Sequence, residues 1–185
     1  MKRLLFLFGI ILVSGITGCQ EPSNYSMAPG SLEVMVEDDG HFPEFLVGKW
    51  MGDKDGWAFI FEPGGTILVA RIAMGRTEVK PGKVTTLDTY GGGKAVYIPG
   101  DWKVIYSPAY RELTVDIVMN YIQVEIRDQV FQGKTRDLVT GTVSEDGNLW
   151  RTVVSSFPEY EGFPMDPNDL PVTNDVVFTK IKEGK

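Results

Sequence analysis

The stretch LTVDIVMNYIQVEI, residues 113–126, decides the fold. Its apolar residues occupy odd positions up to Ile117 and even positions from Ile122 onward. Side chains of a β-strand alternate between two faces, so this pattern predicts β-structure with one face towards a core and the other towards water. The change of parity requires a turn or a bulge between the two halves. We expect a tight turn at Met119-Asn120 that pairs Ile117 with Ile122, and a bulge is the alternative.

A second hairpin is predicted by Asp146-Gly147, a dipeptide typical of tight β-turns. A two-residue turn here brings apolar side chains together on one face. The predicted pairs are Val143 with Trp150 and Val139 with Val154.

Pro63-Gly64 and Pro108-Ala109 predict two further hairpins in the same way. Each again places apolar residues opposite one another. The predicted pairs are Phe61 with Thr66, Phe59 with Leu68, Val104 with Leu113 and Trp102 with Val115.

Short runs of β-branched and aromatic residues, separated by Gly, Pro, Asp and Asn, continue along the chain and predict about ten strands. They lie at 47–52, 57–61, 66–72, 94–98, 102–107, 111–118, 121–128, 136–143, 149–155 and 175–181, and 31–36 starts a further one. The segments 75–93 and 157–174 receive no assignment and are expected to form long loops. We predict an all-β fold, an antiparallel up-and-down meander that closes into a barrel of about eight to ten strands. A β-sandwich is the alternative.

Residues 1–18 have the layout of an export signal, with a positive start, an apolar run at 4–13 and small residues before Cys19. An apolar run of this length is too short for a permanent transmembrane helix, which needs about 20 residues. We therefore expect residues 1–18 to be removed. Residues 19–30, rich in Pro, Ser, Gly and Asn, are expected to tether one domain at 31–185.

The end of the signal, Ile16-Thr17-Gly18-Cys19, resembles the lipobox of bacterial lipoproteins. This resemblance implies that Cys19 carries lipid and anchors an exported protein to the cell envelope. Gln20, which follows the cysteine, is similar to the outer-membrane sorting class of enterobacterial lipoproteins, so we expect the outer membrane in a Gram-negative host. Cys19 is the single cysteine of the chain, so no internal disulfide is possible.

The net charge excludes one class of partner. The full chain carries −7, and loss of Lys2 and Arg3 with the signal would make it −9. An acidic surface repels polyphosphate backbones, so we expect no binding to nucleic acid.

The segment Phe45-Leu46-Val47-Gly48-Lys49-Trp50 resembles the Gly-x-Trp entry of lipocalins and of lipocalin-like bacterial lipoproteins. The aromatic hairpin at 57–66 is similar to the one that often follows in such domains. The resemblance implies a barrel whose base is closed by an apolar turn, with Gly48 and Trp50 as the structural residues and Lys180 covering the tryptophan where the family usually has arginine. It also implies an interior able to enclose a small apolar ligand.

Four aromatic residues share the expected inward face and are the candidates to contact such a ligand: Phe59, Phe61, Trp102 and Tyr106. The alternative is that they fill the core, as buried aromatic residues ordinarily do.

No catalytic or metal-binding constellation is recognisable, so we expect neither an enzyme nor a cofactor. His41 is the only histidine and lies beside acidic residues in a turn, where solvation is the expected state. An acidic loop offers oxygen ligands but lacks the glycine and distal glutamate of a calcium loop. Its members are Glu159, Glu161, Asp166, Asn168 and Asp169.

These observations predict a lipid-anchored envelope protein that binds a small apolar ligand inside a lipocalin-like barrel. The alternative is an inhibitor or assembly factor with a filled core that binds an envelope protein through the loop 157–174. Tyr160 and Phe163 are the aromatic residues which that loop would present.

Overall fold

A computed structural model describes residues 28–72, 77–89, 92–126, 129–162 and 166–182. Within these ranges the chain is almost entirely β-structure, in one sheet of twelve strands. The strands are β1 Leu32–Val36, β2 Gly48–Gly52, β3 Ala58–Phe61, β4 Ile67–Arg71, β5 Glu78–Val79, β6 Thr85–Asp88, β7 Lys94–Pro99, β8 Trp102–Ser107, β9 Glu112–Ile126, β10 Gln129–Val143, β11 Leu149–Tyr160 and β12 Val172–Ile181. Short 3₁₀ turns occur at Glu37–Asp39, Glu44–Leu46 and Pro167–Asp169. The predicted all-β fold class is confirmed.

The sheet follows the order β1-β8-β9-β10-β11-β12-β2-β3-β4-β5, and β7 joins the far half of β9 and carries β6. All these pairs are antiparallel except β1 with β8, so the expectation of a purely antiparallel meander is wrong at this edge. The reason is the route of the chain. β1 runs beside β8 in the same direction, and the chain then crosses one end of the sheet through the 3₁₀ turns before it enters β2. We call this end the base, and the opposite end, where β9 turns into β10, the far end.

β9 is a single strand of 15 residues, so the predicted tight turn at Met119-Asn120 is wrong and the alternative of a bulge is confirmed. Met119 pairs with Thr135 while Ile122 pairs with Gly133, so β9 has one residue more than β10 over this interval. The ladder with β7 is shifted at the same place. The bulge changes which positions face inward, and both Ile117 and Ile122 are therefore buried.

The three other predicted hairpins form, but only one of them has the predicted register. The pairs predicted around Asp146-Gly147 are confirmed, since Val143 faces Trp150 and Val139 faces Val154. Around Pro108-Ala109 the register is displaced by two residues, because the turn uses four residues and Arg111 adopts a positive φ of 51°. Such a shift keeps each side chain on its face. The observed pairs there are Val104 with Val115 and Tyr106 with Leu113.

The register predicted for the Pro63-Gly64 hairpin is also wrong. Phe59 lies opposite Ala70, and a shift between Ile60 and Phe61 leaves Leu68 42% exposed. The irregularity follows from a turn longer than two residues, in which both Gly64 and Gly65 have positive φ.

The curled sheet forms a half-barrel rather than the rival two-sheet sandwich. Its two ends approach each other across the remaining gap. Near the base, Gly65 fits so closely against β1 that a Cβ there would lie 2.8 Å from Val34 Cγ1. Towards the far end, Thr77 Oγ1 donates a hydrogen bond to Tyr97 Oη at 3.2 Å.

The two segments expected to form long loops contain short pieces of strand. β5 and β6 lie within 75–93, and β11 and β12 extend into 157–174 from either side. The long strands β9, β10 and β11 project beyond their shorter neighbours at the far end. Ile126, at the tip of β9, is accordingly 45% exposed although its parity is that of a core residue.

Gly141 tests whether close strand packing holds the centre of this sheet. A Cβ at Gly141 would lie 1.8 Å from the carbonyl oxygen of Arg151, so β11 must move to admit it. We expect Gly141→Ala to lower the free energy of unfolding by about 3 kcal/mol, measured by urea denaturation. Thr142→Ala, on the exposed side of the same strand, should change it by less than about 0.5 kcal/mol. Equal effects of the two substitutions would contradict this packing.

Candidate functional site

Aromatic rings fill the interior near the base. They come from inward positions of β2, β3, β11 and β12, which strand alternation aims at the same space. Trp150 stacks on Phe178 with ring centroids 4.8 Å apart, and Phe59 lies 5.5 Å from Phe178 and 5.8 Å from Phe61. Rings packed in this way stabilise one another beyond the area that they bury. This level of the interior is occupied by the protein's own side chains.

The four predicted ligand contacts all face inward and are buried. Phe59 and Phe61 lie together in the aromatic cluster at the base, whereas Trp102 and Tyr106 lie on β8. Trp102 Nε1 donates to the carbonyl oxygen of Val118 at 2.8 Å, and Tyr106 contacts the Phe45 ring edge-on, with burial raising the Tyr106 pKa. All four belong to one buried hydrophobic core, in which Phe59 and Phe61 are in direct ring contact. Their contact with a ligand stays a prediction.

The base is closed by the 3₁₀ turn Glu44–Leu46 and by Trp50. Trp50 is fully buried, and its Nε1 donates to the carbonyl oxygen of Leu46 at 2.8 Å. Gly48 has a φ of +114°, a conformation that glycine adopts without strain. Lys180 lies directly opposite Trp50 in the β12–β2 ladder and donates from Nζ to the carbonyl oxygen of Phe45 at 2.7 Å. Burial lowers the Lys180 pKa.

A second basic residue holds the same turn, and sequence reasoning missed it. The guanidinium of Arg111 lies over the Phe45 ring, 5.1 Å from its centroid. Arg111 also donates to the carbonyl oxygens of Val143, Ser144 and Glu145, and so ties the β8–β9 turn to the β10–β11 turn. Its positive charge is stabilised by the face of the Phe45 ring and by these carbonyl oxygens, which indicates a structural role.

Polar side chains replace aromatic rings further from the base. On β10, Thr135 and Asp137 occupy the inward positions that continue from Val139 and Val143. Asp137 is 7% exposed. Burial raises the pKa of its carboxyl group, and a hydrogen bond with Ser156, its neighbour on β11, acts in the opposite direction.

Two tyrosines complete this group. Tyr97 is buried on β7 and accepts the hydrogen bond from Thr77 described above. Burial, together with the charges of Asp137 and Tyr97, raises the pKa of Tyr160 to about 12, so the three groups lie near one another. We call Thr77, Tyr97, Asp137, Ser156 and Tyr160 the interior polar cluster.

The sequence contained a signal for part of this cluster. Asp137 has the same parity as Val139 and Val143, which the predicted hairpin already placed on the inner face. The partner-binding alternative would have Tyr160 presented by a loop, whereas it is half-buried on β11 and close to Asp137. Phe163, its proposed companion, lies outside the described residues, as does Cys19.

The residues considered for metal binding are occupied by other contacts or lie in solvent. His41 is exposed. Glu159 pairs with Lys134 at 3.0 Å, Glu161 accepts a hydrogen bond from Gln132, and Asp166 accepts from the backbone nitrogen of Asn168. Among the described residues, His, Cys, Asp and Glu form no group of three or more able to hold a metal ion.

Comparison with known proteins adds no relationship. No protein-family model matches the chain, and no curated protein or solved structure matches it either. Within the part of the chain that the structure describes, no helix is both long and apolar enough to cross a membrane.

The raised pKa of Asp137 predicts how stability depends on pH. Below the unfolded-state pKa the carboxyl group is protonated in both states, and above the folded-state pKa its ionised form is disfavoured only in the folded protein. Stability contributed by this group therefore falls as pH rises between those two values. We expect Asp137→Asn to be more stable than the parent protein at pH 7 and nearly equal to it at pH 3, by urea denaturation.

Asp116 supplies the matched comparison. It is equally buried on β9, but it faces the opposite side of the sheet and accepts two hydrogen bonds from Arg136, at 2.8 and 2.9 Å. Asp116→Asn should therefore lower stability at pH 7 by about 1 kcal/mol. Destabilisation of similar size by both substitutions would contradict the assignment of Asp137 as a buried carboxyl group without a cation.

Proposed function

We propose that this chain is a lipid-anchored binding protein of lipocalin-like type in the bacterial cell envelope. Lipid on Cys19 retains it at a membrane, and a small ligand with an apolar body occupies the interior of the curled sheet towards its far end. This assignment modifies the expectation that Phe59, Phe61, Trp102 and Tyr106 line the site. In this proposal Phe59 and Phe61 pack beneath the site at the base, and Trp102 and Tyr106 pack at its side on β8. The interior polar cluster contacts the ligand.

The proposal rests on how the inward side chains differ between the base and the far end of the interior. Near the base, large aromatic rings fill the space, whereas towards the far end inward polar groups on β10 and β11 lie beside apolar side chains of β9. Ala95, Thr135 and Ser156 lie at this level, together with the carboxyl group of Asp137. Ligand sites combine apolar walls with a few converging polar groups, which is the composition found here.

The position of Asp137 supports the same conclusion on energetic grounds. A buried carboxyl group loses solvation, and a hydrogen bond from one serine returns only part of the loss. A valine or threonine on this strand would avoid the penalty. A buried ionisable group whose pKa is shifted by burial is often found at functional sites.

The closed base supports the lipocalin-like assignment. The 3₁₀ turn followed by Gly48 and Trp50, with Lys180 opposite the tryptophan, has the arrangement that the sequence resemblance implies. Such a base leaves the far end as the side from which a ligand enters.

The N-terminal segment supports the anchoring. The backbone nitrogen of Gly30 bonds to the carbonyl oxygen of Pro99, and Trp102 N bonds to Ser31 O, so the chain leaves the domain beside β8. From Cys19 to Gly30 there are 11 residue steps, which reach at most about 40 Å when extended. This length allows a lipid on Cys19 to hold the domain at a membrane surface.

A pair of adjacent serines tests the interior site. Ser156 faces the interior beside Asp137, whereas Ser155 faces outward on the same strand. We expect the apolar fluorescent probe N-phenyl-1-naphthylamine to bind the mature protein saturably. Ser156→Phe should weaken this binding about tenfold by filling the site, and Ser155→Phe should leave it unchanged. Equal weakening by both variants, or the lack of saturable binding, would overturn the interior site.

Cys19→Ala tests the anchor separately. Because acyl chains supply the retention, the variant should fail to incorporate a labelled fatty acid and should move from the membrane fraction to the soluble exported fraction. Membrane retention of the unlabelled variant would contradict lipid anchoring and would leave the ligand site unaffected.

An envelope partner-binding protein is the second candidate. Val153 and Phe157 lie on the outer face of β11 and are each more than one third exposed, although both are large and apolar. Exposed apolar side chains that share one face occur at contact surfaces in many proteins. This function is favoured if the interior binds no probe.

A further inference from the structure

We propose that the interior polar cluster selects ligands that carry a basic nitrogen, with Asp137 as the carboxylate that pairs with the ammonium group. This inference rests on the proposed binding function and specifies the chemical class of its ligand. It assigns Asp137 the role of specificity-determining residue and the tyrosines the role of flanking groups.

The first step is the direction in which Asp137 points. Its register partners on β9 and β11 are Ile117 and Ser156, and its strand neighbours of the same parity are Thr135 and Val139. Ile117, Thr135 and Val139 are all buried. The carboxyl group therefore faces the inside of the sheet.

The second step concerns the two cations next to Asp137 in the sequence. Lys134 and Arg136, on the same strand as Asp137, have the opposite parity and pair with Glu159 and Asp116. Every salt bridge found among the described residues uses a carboxylate other than Asp137. A buried carboxylate is stable when a cation neutralises it, so a ligand ammonium group supplies what these side chains do not.

The third step concerns the tyrosines. With a pKa near 12, Tyr160 is neutral at physiological pH, so it adds no second negative charge beside Asp137. Neutral phenol rings next to a carboxylate suit an ammonium group, because the ring face attracts cations and the hydroxyl group accepts hydrogen bonds. Tyr97, buried on β7, lies within electrostatic reach of Tyr160.

The fourth step concerns the rest of the ligand. Ile117, Met119 and Ile122 occupy the inward positions of β9 next to Asp137 and Thr135, and all three are buried. These side chains provide an apolar wall for the carbon skeleton attached to the nitrogen. The class of ligand is therefore an amphipathic amine, with a cationic head at Asp137 and an apolar body.

Three probes with one ring and different charge test this selectivity: phenethylamine, 2-phenylethanol and phenylacetate. With the mature protein at pH 7.5, isothermal titration calorimetry should show saturable binding of the amine, at least tenfold tighter than of the alcohol. Phenylacetate should bind more weakly than the alcohol, because two carboxylates repel each other. Asp137→Asn should bind amine and alcohol with equal affinity.

Asp116→Asn is the matched control, because it removes the same charge on the opposite face of the sheet. It should keep the preference for the amine. Asp137→Asn is expected to fold at least as stably as the parent protein, so loss of preference in that variant reports on binding.

The outcomes separate this inference from the function on which it rests. Equal affinity for amine and alcohol in the parent protein, or equal loss of preference in Asp137→Asn and Asp116→Asn, would overturn amine selectivity. If N-phenyl-1-naphthylamine still distinguishes Ser156→Phe from Ser155→Phe in that case, the binding function stands. Failure of every probe to bind would overturn both.

Discussion

The ladder formed by β9, β10 and β11 is the constraint on which the rest of the structure depends. β7 and β8 both pair with β9, and β12 pairs with β11, so most of the sheet attaches to these three strands. Their register decides which side chains face inward along almost the whole height of the molecule. The bulge at Asn120 changes the parity of β9 while β10 continues without interruption. Because of that bulge, Ile122 faces inward on the same side as Ile117.

The same ladder explains the two levels of the interior. Near the base, large aromatic rings from β3, β11 and β12 pack together. Towards the far end the inward positions of β10 and β11 include the polar residues Thr135, Asp137 and Ser156. Aromatic packing at one level thus holds the strands that carry the polar groups at the other.

The sequence predicts local features of this fold better than distant ones. Asp146-Gly147 gave the correct register because turn chemistry and apolar pairing agreed. At Met119-Asn120 the pattern revealed the change of parity but did not distinguish a turn from a bulge, because both shift the side-chain alternation by one. The parallel pairing of β1 with β8 depends on a crossing between distant parts of the chain, for which the sequence carries no local signal.

In the candidate site, too, local features were predictable from the sequence and contacts between distant parts of the chain were not. The inward position of Asp137 was implied by the correctly predicted hairpin, although a charged residue is easily assigned to the solvent face. The contact of Thr77 with Tyr97 joins two ends of the sheet that no ladder connects at this point in the described residues, so alternation along a strand does not predict it. Arg111 sits in a turn, and only the fold shows that its guanidinium reaches Phe45.

The parallel edge strand has a mechanical consequence. Force transmitted through the N-terminal segment enters at Ser31, whose backbone nitrogen and hydroxyl group both bond to the Asp101 carboxylate, and then runs along β1. The hydrogen bonds between β1 and β8 lie across that direction, so they bear load together in shear instead of opening one after another. A pull on the N-terminal side is therefore resisted by the whole β1–β8 ladder at once.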